Sequence, residues 1–155
     1  MSIQTVGQLV GAAQLFSGLA PQHLETIAGC ASTARFEEDE YIFRESDSAD
    51  RFYVIRSGSV ALETHVPGRR PARLMTLRED DVLGWSWLFP PYRWQFDAQA
   101  LEPVRAVAFD GTCLRTKCAN DHTLGYELMR RFAQVMVSRL QATRLQLLDV
   151  YGDDG

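Results

Sequence analysis

The sequence predicts a single α+β domain, mainly β, in which a β-roll sits between N-terminal helices and one long C-terminal helix. Three observations carry this. The chain has 155 residues, 46% hydrophobic and 23% charged, enough for one real core and too few for a second domain of ordinary size. Between Thr33 and Asp110, β-rich stretches at Tyr41–Arg44, Arg51–Arg56, Ser59–His65, Ala72–Leu77 and Ala98–Phe109 alternate with turn residues at roughly 8 to 12 residue spacing, the signature of a sandwich or barrel-like roll. The segment from Asp121 to Tyr151 has no proline and only an early Gly125, so it reads as one helix of about thirty residues. The expected layout is N-terminal helices over residues 1–32, the roll over 33–110 and C-terminal helices over 111–151.

Each element has its own local reason. Leu9, Ala12, Ala13, Phe16, Leu19, Leu24, Ile27 and Ala28 recur at three- and four-residue steps, broken by Gly18 and Pro21, which gives two or three short helices. Val66 to Pro71 reads as a hairpin tip, because Pro67 and Pro71 cannot donate to a ladder. On the long helix, Leu124, Leu128, Met129, Phe132, Ala133, Val135, Met136, Val137, Leu140 and Leu147 fill an apolar arc of roughly 220°, about twice what one neighbour requires. The excess predicts a second packed surface, most simply the same helix of a second copy, which makes a homodimer the expected assembly.

Charge and cysteine content narrow the function. Twenty acidic residues against sixteen Lys plus Arg give a net charge of -4, which argues against a broad basic face for nucleic acid. Fifteen of those sixteen cations are Arg, a bias that decides nothing. No apolar run approaches the ~20 residues of a membrane span, and the N-terminus lacks the pattern of a signal peptide, so a cytoplasmic location without membrane attachment is expected. Cys30, Cys113 and Cys118 form no CxxC pair and read as structural thiols rather than a disulfide framework or zinc site. His23, His65 and His122 accompany no Ser, Cys or paired carboxylate at a diagnostic spacing, so neither catalytic nor metal-ligating residues are expected.

The oddest feature is aromatic. All three Trp (Trp85, Trp87, Trp94) fall within ten residues, interleaved with Phe89 and Tyr92 and followed by Phe96. Large aromatics pack cores, fill pockets and anchor interfaces, and all three readings stay open for this cluster.

The stretch IFRESDSADRFYVIRSGSVAL, residues 42–62, then shows a bend, an acidic residue, a strand and a glycine turn. With the order helices, roll and long helix, it resembles the cyclic-nucleotide-binding domain of the catabolite activator and FNR superfamily. Asp47, Tyr53, Ile55, Gly58 and Val60 stand at matching positions, and Ser46 stands where a Gly is usual. Asp80-Asp81 half-matches the Gly-Asp before the ligand cassette, which opens here at Gly84. The flanking LFSGLAPQHLETIA and RLQATRLQLLDVYG are also similar to helices of that family, so the resemblance runs from about residue 14 to 151.

That resemblance implies a jelly-roll-like double-stranded β-helix, a regulatory role as a ligand sensor in signal transduction, no enzymatic activity, and cyclic AMP or another nucleotide-like molecule as the ligand to test. It also implies a cassette running through Gly84, Trp85, Ser86, Trp87, Arg93, Trp94 and Gln95, with Thr143 and Arg144 of the long helix at the base-contacting positions. In the family, a Glu after the opening Gly accepts from the ribose hydroxyl and an Arg about nine residues on neutralises the phosphate. Here those positions are Trp85 and Trp94, followed by Gln95-Phe96. Arg93 lies one residue early, and in extended chain a one-residue shift turns a side chain to the other face. Two hydrogen bonds to charged groups at about 1.5–3 kcal/mol each correspond to ~10² to 10⁴ in affinity. Stacking of a Trp on a purine offsets ~1–3 kcal/mol of that.

Two functions therefore stand side by side. One is a homodimeric sensor with weakened or altered nucleotide specificity. The other is an interaction or accessory module that kept the fold and lost the pocket, with a protein partner at the aromatic cluster. A transcription regulator of the superfamily would continue past Gly152 into a helix-turn-helix. A stand-alone chain ending at residue 155 is expected not to recognise DNA by itself, and the sensor half of such a regulator is the remaining alternative.

Overall fold

A computed structural model describes residues 4–152, with side chains described through residue 149. The elements run α1 (Val6–Ala12), a 3₁₀ turn (Gln14–Phe16), α2 (Pro21–Ala28), β1 (Ala31–Phe36), β2 (Tyr41–Phe43), β3 (Arg51–Ser57), β4 (Val60–Thr64), β5 (Ala72–Leu77), β6 (Val82–Leu83), a second 3₁₀ turn (Ser86–Leu88), β7 (Asp97–Ala100), β8 (Val104–Asp110), α3 (Gly111–Asn120) and α4 (His122–Gly152). The strands form two four-stranded antiparallel sheets, ordered β1-β8-β3-β6 and β2-β7-β4-β5, which face each other as a roll. The mainly β fold with flanking helices is thus the one the sequence predicts.

Local chemistry sets the element ends. Thr5 and Gln8 form a reciprocal capping box at α1, with Gln8 N donating to Thr5 Oγ1 at 3.1 Å and Thr5 N to Gln8 Oε1 at 2.9 Å. Pro21 opens α2, where its missing N–H costs nothing. The carboxylates of Asp110 and Asp121 accept from Cys113 N and Leu124 N at the starts of α3 and α4. Gly58 turns β3 into β4 at φ 92°, and a Cβ there would collide with the Pro103 carbonyl.

The central strands β3 and β8 of the first sheet are buried on both faces, and their side-chain alternation sorts residues into two cores. Phe52, Val54, Val107 and Phe109 face the helices, where they meet Phe16, Trp87, Leu114, Leu124, Leu128 and Phe132. Tyr53, Ile55, Ala106 and Ala108 face the roll interior with Phe43, Leu62, Leu83 and Trp94. Phe52 anchors the helix side, stacked on Phe109 at 4.4 Å and on Trp87 at 4.9 Å, with Phe132 edge-on at 5.0 Å.

Three details depart from the sequence reading. The stretch read as one strand over Ala98–Phe109 is two, β7 and β8, in different sheets; Pro103 lacks a donor at the crossing, and Leu101 to Pro103 carry the chain between them. Strand β1 has no apolar alternation to announce it, since ASTARF is mostly small and polar, and is fixed instead by its full register with β8. Cys30 and Cys113, read as thiols, are joined in a disulfide. They are 83 residues apart and meet only because β1 starts where β8 ends, Ala31 opposite Phe109 with Asp110 N donating to Cys30 O. Cys118 is free and half-buried, and burial pushes its thiol pKa up.

Candidate functional site

The cassette residues occupy three separate environments. Gly84 follows β6 with φ 97°, the left-handed region, and a Cβ on it would run into the six-membered ring of Trp94. That ring is buried and stacks on Phe43, centroids 3.8 Å apart and planes 6° from parallel. Phe96, half-buried, leans on Phe43 at 5.9 Å. The position that the resemblance gives to the phosphate-neutralising Arg is therefore occupied, inside the roll, by an indole packed against glycine and phenylalanine. None of these contacts is to a cation.

Trp87 takes the opposite side of the sheet. It is fully buried in the helix-side core, edge-on to Phe132 at 5.4 Å, and its Nε1 has no hydrogen-bond partner. Ser86 is buried beside it in the same 3₁₀ turn. Trp85 is half-buried between the two cores, edge-on to Phe96 at 6.5 Å and under the guanidinium of Arg139, whose carbon lies 5.3 Å from the ring centroid. An acceptor carboxylate at this position would face Arg139; the indole meets the same cation with its π face.

Arg139 is the site residue that sequence reasoning passed over. It projects from α4, donates Nη2 to Val82 O, and leaves Nη1 buried without a partner. Burial pulls its pKa down to about 10, opposed by the attraction of the Asp81 carboxylate. A cation inside the apolar arc of α4 is a signal that Arg144 shares, so the sequence does not single out Arg139 from the predicted Thr143 and Arg144. Both of those are exposed, and Thr143 Oγ1 donates back to Arg139 O at 2.9 Å, the ordinary fate of a helical threonine.

Arg93 is exposed while Trp94 beside it is buried, so the two side chains turn to opposite sides of a loop outside the named strands. Arg93 pairs across a bridge with Ser48 and donates Nη1 to Ser46 O at 3.1 Å, outside the roll, while exposed Gln95 donates to Arg93 O. Ser46 itself has φ 74°, which explains why a Gly is usual there. Asp47, the matched acidic residue, closes the same turn by accepting from Arg44 N at 3.2 Å. Along α4 runs an open groove of about 910 Å³, bounded by Gln14, Asp80, Asp81, Arg131, Ser138 and Arg139. Among the described residues no three His, Cys, Asp or Glu are grouped so as to hold a metal ion, and no helix is long and apolar enough to cross a membrane.

An antiparallel roll of eight strands, a glycine opening a short cassette and a long helix laid over it together define a nucleotide-sensor class of domain. Residues 33–121 match the cyclic nucleotide-binding domain family, and the chain belongs to it. It is similar to the CRP-like cAMP-activated global transcriptional regulator of Mycobacterium tuberculosis, 26% identical over 147 residues that make up 95% of this chain and 64% of that protein. The chain thus spans about 64% of the length of the curated relative it matches. Among solved structures, a protein of Geobacter metallireducens GS-15 is 27% identical with TM-score 0.79, covering 89% of this chain and 99% of that one. The Thermus thermophilus catabolite activator protein shares the fold at TM-score 0.69 and 22% identity, over 89% of this chain and 62% of that one.

Proposed function

We propose that this cyclic nucleotide-binding domain is a regulatory sensor that works as a homodimer through α4 and binds cyclic AMP and cyclic GMP only weakly. The observation that carries the reading is Trp94: a buried indole stacked on Phe43 and seated on Gly84 stands where the family places its phosphate-binding Arg. Trp85 replaces the ribose-binding carboxylate and is held by Arg139. A ligand entering this site would have to displace stacked aromatics and would find Arg93 on the wrong face. The candidate site comprises Gly84, Trp85, Ser86, Trp87, Arg93, Trp94 and Gln95, with Thr143 and Arg144 on α4.

The dimer rests on the same helix. Leu124, Leu128 and Phe132 are consumed by the domain's own core, whereas Val137, Leu140, Leu145, Leu147 and Leu148 are all more than half exposed. Four of them, Val137, Leu140, Leu147 and Leu148, fall within about 100° of the helix circumference, a stripe that association covers. A second reading, a sensor with a changed ligand, is favoured by the groove along α4, where Arg139 keeps an unpaired buried N–H.

Titration calorimetry with cyclic AMP, cyclic GMP and cyclic dinucleotides tests both readings. Silence from the two mononucleotides at micromolar concentrations is the expected outcome, a saturable signal from another member of the panel favours the changed-ligand sensor, and micromolar binding of cyclic AMP overturns the closed-pocket reading. Sedimentation at ~50 µM is expected to show a dimer; a monomer there removes the α4 pairing.

A further inference from the structure

The Cys30–Cys113 bond stands apart from the rest of the chain, which has no disulfide framework and keeps a third cysteine free. Its two ends differ in access. Cys30 is buried between α2 and β1, while Cys113 is half-buried in the first turn of α3. Both line a small cleft of about 240 Å³ with Gly29, Ser32, Arg51 and Asp110, so a reagent reaches the bond from the Cys113 side. The Cα atoms are 5.8 Å apart, a separation at which either two thiols or one disulfide fit the same backbone.

The helix carrying Cys113 also holds the aromatic cassette. Arg115 donates Nη1 to Trp87 O at 2.6 Å and lies 4.3 Å over the Tyr92 ring, gripping both ends of the 87–92 loop. Just past the end of α3, Asp121 caps α4 and sits 3.4 Å from His23 of α2. The bond therefore fastens the α2–β1 junction to an element that contacts both the cassette and the root of α4.

We propose that Cys30 and Cys113 form a reversible dithiol–disulfide lock that sets how firmly α3, and through Arg115 the 85–94 loop, is held. In the reducing direction, a thiolate of an external dithiol attacks Cys113 Sγ. The Sγ–Sγ bond breaks, and its electron pair leaves on Cys30 Sγ, which takes up a proton. The reductant's second thiol then displaces Cys113 as a thiolate, which is protonated in turn, and the reductant closes its own disulfide. Two electrons and two protons pass to the pair. In the oxidising direction a low-molecular-weight disulfide such as oxidised glutathione accepts those two electrons. The lock does not depend on whether any nucleotide binds.

The test treats the folded protein with millimolar dithiothreitol, then with oxidised glutathione, and follows peptide mass mapping, thermal unfolding and amide hydrogen exchange. The mapped Cys30–Cys113 link should disappear and return under native conditions. Closing a loop of this length should raise Tm by about 8 °C relative to the reduced protein. Exchange in residues 85–94 and 111–120 should speed up at least about fivefold on reduction, with the β4–β5 hairpin unchanged. Cys30→Ser/Cys113→Ser should lose the response to reductant and Cys118→Ser should keep it. Reading the reduced wild type keeps the test valid if the double variant folds poorly. A bond that yields only after denaturation, a thiol pair that oxidised glutathione does not close, or reduction that leaves the exchange of 85–94 untouched overturns the proposal.

Discussion

Two cores lie on either side of one sheet, built by alternate residues of the same strands. On the helix side, Phe52, Trp87, Phe109 and Phe132 pack ring on ring beneath α3 and α4. On the roll side, Ala106 and Ala108 of β8 face Ala98 and Ala100 of β7 across an interior filled by Phe43, Tyr53, Ile55, Leu62, Leu83 and the Trp94 indole. The difference separates scaffold from site. The helix-side aromatics join β3 and β8 to the helices, whereas on the roll side Trp94, stacked on Phe43, fills the interior beside Gly84. Two of the three Trp, similar in sequence context, thus have unlike duties, and the third, Trp85, lies between them under Arg139.

The contrast is sharpest if each core is opened in turn. Trp87→Ala removes a fully buried ring stacked on Phe52, and should cost about 4 kcal/mol, lowering Tm by about 10 °C in calorimetry. An effect under ~1 kcal/mol would mean that the helix layer is not the scaffold. Trp94→Ala should cost about 3 kcal/mol and leave an apolar cavity between Phe43 and Gly84. Indole added in millimolar amounts should restore part of the lost Tm to this variant and none to the wild type. Gly84→Ala combines a φ of 97° with a collision against Trp94, and should cost about 2 kcal/mol in denaturant unfolding. If it is neutral, the ring does not rest on that backbone. Leu140→Asp, 70% exposed on α4, should change domain stability by less than about 0.5 kcal/mol and yet abolish self-association in sedimentation. Loss of folding instead would place Leu140 in a core rather than at an interface between copies.

Legibility in the sequence followed physical range. The roll and long helix were readable because turn residues and apolar periodicity are local signals, and the apolar arc of α4 was wider than one neighbour could use. The turn at Ser46 and Asp47 and the opening at Gly84 were readable through a resemblance spread over most of the chain. The outward turn of Arg93 agrees with the alternation expected of extended chain, although Arg93 lies on an isolated bridge outside the named strands. What was not readable depends on contacts between distant residues. Whether each Trp faced the helices or the roll was decided by which side of β3 and β8 it met. The unpaired guanidinium of Arg139 needed Val82 and Trp85 beside it, and the Cys30–Cys113 bond needed β1 and β8 in register.

The claim at the centre is that Trp85 and Trp94 stand where a cyclic nucleotide would be held, and it is tested most directly by titrating cyclic AMP into the wild type and into Trp85→Glu/Trp94→Arg side by side. Replacing two charged hydrogen bonds by indoles corresponds to ~10² to 10⁴ in affinity, so the wild type should bind with Kd near or above ~1 mM and the double variant at least about tenfold more tightly. Micromolar binding by the wild type, unchanged or weakened in the variant, would contradict the account.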